Sequence, residues 1–226
     1  MKVTEERPKQ GWVIAQRWSH VLFLSYPVDP QLLQARLPEG LEVDTWEGSG
    51  WLSIVPFYMS GIRFRGLPSV PFTDLWELNL RTYVRWRDQR GILFFTLDTD
   101  SRLGQFVATR FFHLPYRVWK MAGAVEGMDY RFEAKDSFRM NVKLGKFAVE
   151  DPFDRWIADR YSLFTSGKRG LYRGDVEHEP WRLRVLDGVE FSDRFSEQFG
   201  FQSPDELHAR YAEPLDVRFR PFVKLS

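Results

Sequence analysis

Alternation of apolar and polar positions is clearest over residues 76–84. Glu77, Asn79, Arg81 and Tyr83 fall on one face of an extended chain, and Leu78, Leu80, Thr82 and Val84 on the other, continued by Trp86. Period two over this length predicts a strand with its apolar side on a core. Residues 88–91, Asp-Gln-Arg-Gly, form a turn signal and 92–98 resume as a strand, so the two runs predict one antiparallel hairpin. A loop of two residues at Gln89 and Arg90, or of four across 88–91, sets Arg81 opposite Asp98, Tyr83 opposite Thr96 and Arg85 opposite Phe94, whereas a three-residue loop slips the register by one. Arg81 and Asp98 are therefore expected partners inside the fold. The face that carries Glu77, Asn79 and Arg81 reads equally as a wet surface with cross-strand ion pairs or as a binding site.

Elsewhere the pattern predicts short strands separated by turns. They cover 18–26, then 41–46 paired with 51–59 around 47–50, with Pro56 marking an edge or a bulge. Further strands are expected at 116–124, 130–135, 138–144, a hairpin of 160–165 with 171–178, then 181–186 and 216–223. Asp29-Pro30 opens a short helix through Leu37, with Asp as N-cap and Pro in the first position, and Asp151-Pro152 repeats that start for a helix through about Asp159. Leu103, Phe106, Val107 and Phe111 have helical spacing within 101–112, which ends before Pro115, and a short helix is expected at 191–199. The fold class is α+β, mainly antiparallel β, with a few short helices against the sheet.

A chain of 226 residues suffices for one substantial core, and no linker, repeat or low-complexity block divides it, so one domain over 1–226 is expected, with 1–11 flexible. Hydrophobic residues at 43% exclude a disordered chain, and a formal charge of +1 gives no whole-molecule preference for nucleic acid or acidic lipid. Arg85, Arg87 and Arg90 interleave with aromatics, but a hairpin turn gathers them without invoking a nucleic-acid strand. Absence of cysteine removes disulfides, thiolate nucleophiles and cysteine-ligated metals. The charged first ten residues lack the apolar stretch of a signal peptide and no run is long enough to span a membrane, so a soluble cytoplasmic protein is expected, with no membrane partner. Homo-oligomerisation is left open.

Phosphate loops, dinucleotide fingerprints, nucleophile elbows and paired-histidine helices are absent, and Gly48-Ser49-Gly50 lacks the strand-to-helix setting of a serine hydrolase. His20, His113, His178 and His208 are scattered without ligand spacing, so neither metal nor cofactor is expected. Arg110 and His113 lie three apart at a predicted helix end, where they either hold a small carboxylate or cap the helix dipole. Arg160-Tyr161 and His178, with aromatics around them, are expected to form a structural hairpin with a satisfied histidine.

Several segments together carry a resemblance. They are Val28-Asp29-Pro30, Leu37-Pro38-Glu39-Gly40-Leu41, Asp44-Thr45-Trp46, Val55-Pro56-Phe57, residues 77–84, His113-Leu114-Pro115-Tyr116, Arg160-Tyr161, and His178 with Pro180-Trp181. Over nearly its whole length the chain resembles the YqjF-like family of uncharacterised bacterial proteins, grouped with the acetoacetate decarboxylase-like superfamily. The resemblance implies a cone-shaped antiparallel β-barrel with wrapping strands. Decarboxylases of that superfamily form a Schiff base on a lysine of depressed pKa, with a Glu and an Arg positioning a keto acid. Glu77 and Arg110 match that Glu and Arg, but the residue after Pro115 is Tyr116, not lysine. The expectation is a barrel-interior pocket for a small organic carboxylate or keto compound, with Asn79, Arg81 and Arg110 binding and with Glu77, Tyr116 and His113 supplying acid–base chemistry of lyase or isomerase type. A phenol beside Arg110 would have its pKa lowered. The rivals are a non-catalytic ligand-binding or structural barrel, and decarboxylation through Lys120, for which a surface position is expected.

Overall fold

The computed structural model describes residues 11–71, 73–101, 116–167, 170–205 and 207–225. In chain order the strands are β1 (Ile14–Ser19), β2 (Val21–Val28), β3 (Glu42–Val43), β4 (Gly50–Phe64), β5 (Leu75–Trp86), β6 (Gln89–Thr99), β7 (Tyr116–Val118) and β8 (Met121–Glu126). They continue as β9 (Asp129–Ala134), β10 (Phe138–Phe147), β11 (Ser162–Gly167), β12 (Gly170–Glu177), β13 (Leu183–Asp193), β14 (His208–Ala212), β15 (Leu215–Phe219) and β16 (Val223–Lys224). The described α-helices are α1 (Pro30–Gln34) and α2 (Pro152–Ala158), each opened by an aspartate that accepts the backbone N–H two residues on, at 2.8 Å in both. Both are shorter than the expected spans. The region 102–115, with its expected helix, lies outside the described residues.

β4 hydrogen-bonds to β5 as well as to β1 and β2, so the path of pairings β4–β5–β6–β11–β12–β15–β1 returns to β4. From β2 a wing leads off through β14, β13, β10, β9 and β8. The central strands are consequently buried on both faces. Leu52, Ile54, Leu78 and Leu80 pack outward with Tyr130, Phe132, Phe138 and Met140 of the wing, while Val55, Phe57, Tyr83, Leu163 and Val176 pack inward with Trp156 and Ile157 of α2. Two cores therefore lie back to back across one layer of strand, each face drawing on every second residue.

The expected hairpin forms, but its register differs. Its turn is Arg87-Asp88, with Arg85 opposite Arg90 and Tyr83 opposite Ile92, and Arg87 takes a left-handed φ of 55°. Gly91 is not the turn glycine: a Cβ there would meet the Ser162 carbonyl oxygen at 2.5 Å and Phe164 at 2.7 Å, so it permits β11 to pair in parallel with β6. A bulge between Leu80 and Arg81 then shifts the pairing, setting Arg81 opposite Phe94 and Asp98 opposite Leu78. Asp98 thus turns to the outward core, and its carboxylate is forked by Arg117, Nε at 2.8 Å and Nη2 at 2.7 Å. The expected Arg81–Asp98 pair does not form.

Other expectations shift similarly. The first strand is split in two at His20, whose φ is 56°. β3 pairs with β5 rather than with β4. Pro56 sits where β4 passes from β2, last paired at Ile54, to β1, first paired at Tyr58, so the N–H it lacks is missing where that edge has no strand beside it. Residues 191–193 complete β13, leaving only a 3₁₀ turn at Ser196–Phe199 where a helix was expected.

Candidate functional site

The inward face of β5 brings Glu77, Asn79 and Arg81 to a cavity of about 80 Å³, joined by Tyr116 from β7 and by Arg160 and His178 near the ends of β11 and β12. Its walls are aromatic, from Trp18, Phe23, Phe57, Phe94, Trp181 and Phe219. A cavity of about 150 Å³ holds benzene, so this one suits a molecule of a few non-hydrogen atoms.

At one end lies Glu77, 2% exposed. Its Oε2 accepts from the Tyr116 hydroxyl at 2.7 Å and its Oε1 from the Asn79 amide at 3.1 Å. Tyr116 is placed there by β7, which pairs in parallel with β6 so that Tyr116 shares the inward face with Leu97 while Arg117 turns outward to Asp98. Burial lifts the Glu77 carboxyl to a pKa of about 7, with the Asp98 charge adding to the rise and the two hydrogen bonds offsetting part of it. The Tyr116 phenol moves up from its ordinary value, pushed by burial and by Glu77, the opposite of the lowering expected beside Arg110.

Arg81 is 7% exposed and is not paired with a carboxylate among the described residues. Its guanidinium lies 5.0 Å from the Phe23 ring centroid and 5.8 Å from that of Tyr83; Nη2 makes one long bond, 3.4 Å, to the Ile157 carbonyl, and Nε has no partner among the described residues. Arg160 approaches the same Tyr83 ring at 5.1 Å. It donates from Nε to the Trp156 carbonyl at 2.6 Å and from Nη1 to the buried Asp44 at 2.7 Å, leaving Nη2 without a partner among the described residues. Asn79 Oδ1 likewise has no partner among the described residues. Four of the expected site residues, Glu77, Asn79, Arg81 and Tyr116, therefore converge on the cavity. Arg110 and His113 lie outside the described residues.

Arg160 and His178 belong to the hairpin that the sequence pattern assigned to a structural role, and both line the cavity. The signal was the clustering of aromatic and ionisable residues at 160–161 and 178–181, which does not by itself distinguish an inward from an outward face. Lys120, Lys135, Lys143, Lys146 and Lys224 are all exposed, and the segment 102–115 contains neither lysine nor an acidic residue. No group of three or more His, Asp or Glu among the described residues is placed to hold a metal ion, and no described helix is long and apolar enough to cross a membrane.

Residues 15–216 match the DUF2071 family, described as an uncharacterized conserved protein. The chain is 36% identical over 235 residues to the uncharacterized protein YqjF of Bacillus subtilis strain 168, covering 97% of this chain and 95% of that one. Among solved structures it is similar to acetoacetate decarboxylase from Legionella pneumophila, with a TM-score of 0.65 at 13% identity over 99% of this chain and 93% of that one. It is also similar to the enduracididine biosynthesis enzyme MppR complexed with pyruvate, with a TM-score of 0.65 at 13% identity over 100% of this chain and 95% of that one. At such identity these likenesses establish the mainly antiparallel, acetoacetate decarboxylase-like fold.

Proposed function

This chain belongs to the DUF2071 family, and we propose that it binds a small organic carboxylate or keto compound in the cavity under β5, inside a cone-shaped barrel formed by the returning path of strands. The observation that carries this reading is the pair of buried guanidiniums with nitrogens that have no partner among the described residues, Arg81 Nε and Arg160 Nη2. A buried donor left without a partner costs about 1–3 kcal/mol, and more when charged, so an anionic ligand relieves a strain that the protein alone leaves in place. Asp44 already pairs with Arg160 and with the exposed Arg90, which leaves Arg81 as the buried cavity guanidinium without a carboxylate partner among the described residues, and a monocarboxylate fits it. The pyruvate complex of the similar MppR fold supports the same ligand class.

The chemistry we infer is acid–base, of the lyase or isomerase type. A carboxyl with a pKa of about 7 exchanges protons readily at neutral pH, and Tyr116 and Asn79 orient it. Against imine chemistry, no lysine among the described residues is buried, and by the sequence resemblance Tyr116 occupies the position of the superfamily's amine. A second reading, a non-catalytic ligand-binding or structural barrel, is favoured by one observation: both Glu77 oxygens already have protein partners, as in a closed polar network.

Thermal denaturation with C2–C4 monocarboxylates and 2-oxo acids, pyruvate included, tests the pocket. At a concentration of about a hundred times Kd, binding contributes about 2.7 kcal/mol, a rise in Tm of roughly 5–10 °C for a protein of this size. The rise should vanish in Arg81→Met, with folding checked by circular dichroism. If no carboxylate raises Tm in the wild type, the pocket reading fails.

A further inference from the structure

We propose that His178 is the second proton-transfer residue of this cavity, its Nε2 taking a proton from carbon in a bound 2-oxo acid while the Glu77–Tyr116 pair serves the carbonyl oxygen. The inference rests on the carboxylate reading above and adds to it a base and a reaction.

The tautomer is fixed by a backbone contact. His178 Nδ1 lies 2.7 Å from the Glu179 carbonyl oxygen, and a carbonyl only accepts, so Nδ1 carries the proton and the neutral ring keeps its lone pair on Nε2. Among the described residues Nε2 makes no hydrogen bond, although the ring lines the cavity. Tyr161 at 4.7 Å and Trp181 at 5.1 Å between ring centroids hold the imidazole from its sides. A base needs this combination of a held ring, a free lone pair and access to the ligand space.

The electrostatics point the same way. Burial, with the Arg81 charge as a further contribution, keeps the imidazole pKa below its ordinary value, against the opposing pull of the Glu179 carbonyl and Asp159. Burial has the reverse effect on the Glu77 carboxyl. Near neutral pH about half of the Glu77 carboxyl therefore keeps its proton, while the imidazole, held below its ordinary value, is neutral. Environments that drive two groups apart in this way assign acid and base between them. Arg81, Glu77 and His178 line the same cavity, so a carboxylate held by Arg81 puts its neighbouring carbons in the space that the other two groups face.

The step balances without a cofactor. Nε2 removes a proton from C3, the C–H electron pair forms the C2=C3 bond, and the carbonyl electrons move to oxygen, which takes the Glu77 proton. The products are the enol, an imidazolium and a carboxylate. Reversal in D₂O places a deuteron at C3.

The experiment is proton NMR of 2-oxobutyrate in D₂O with the intact protein, with binding measured in parallel by calorimetry. The wild type should speed loss of the C3 proton signal at least tenfold over buffer. His178→Gln should lower that enhancement at least tenfold, with Kd changed less than twofold. His178→Asn, which keeps a donor for the Glu179 carbonyl, serves as a second variant should the first fail to fold. Exchange that survives either folded variant overturns the proposal, as does a wild type that binds the probe without speeding exchange. If 2-oxobutyrate does not bind but another carboxylate raises Tm, the base assignment for 2-oxo acids falls while the pocket stands; if no carboxylate binds, both fall.

Discussion

A carboxyl whose pKa rises from 4.5 to about 7 on folding holds its proton more tightly in the native state than in the unfolded chain. The sign follows: Glu77 favours the folded form less and less as pH rises from about 4.5 to 7, and the loss is complete above the folded pKa. The full span corresponds to about 3 kcal/mol. Glu77→Gln should therefore be more stable than the wild type at pH 8 by about 1–3 kcal/mol, and the advantage should disappear at pH 5, as read from urea midpoints. The same argument separates Asp98 from Arg81. Asp98 is 1% exposed and its fork comes from Arg117, which is itself partly open to solvent, so Arg117→Gln should cost about 2–3 kcal/mol, between a surface pair and a fully buried one. A double-mutant cycle with Asp98→Asn should show coupling to Arg117 and none to Arg81; the reverse result would restore the register that the sequence suggests.

At the scale of elements, the alternation of β5 was legible because a strand's side-chain period is fixed by its backbone, whatever its neighbours do. Pairing was not legible. The bulge at Leu80 and Arg81 has no glycine or proline to announce it, and Gly91 imitates a turn residue while serving a close approach from Ser162. Helix starts were legible, since an aspartate cap and a first-position proline act within three residues, and Asp151→Ala should accordingly lower stability by about 1 kcal/mol in chemical denaturation. Arg87 provides the converse test. Its left-handed φ suits asparagine better, so Arg87→Asn should raise stability by about 0.5 kcal/mol less whatever its contact with the Trp86 ring contributes, 4.3 Å away; a clear loss would mean that the contact outweighs the turn.

In the whole molecule, the wing is seated on the ring of strands partly by Trp76, whose indole meets His20, Tyr58, Tyr130 and Phe132. Gly123 of β8 lies under that indole, where a Cβ would come within 2.4 Å of Cη2. Gly123→Ala should push the wing outward and cost about 1–3 kcal/mol, measured by thermal unfolding, with ligand affinity unaltered because the cavity is on the other side of the layer. This long-range arrangement was hidden from a linear reading, as were the inward positions of Arg160 and His178, since nothing local distinguishes the two sides of a strand buried on both. The burial of β5 on both faces also bears on how such a protein can change over generations. Residues 77, 79 and 81 address the cavity while 78 and 80 address the outward core, so neighbouring codons govern unrelated properties. Mutation at odd positions can reshape the cavity while the even positions conserve the scaffold, and one strand can drift toward a new lining without first passing through an unfolded ancestor.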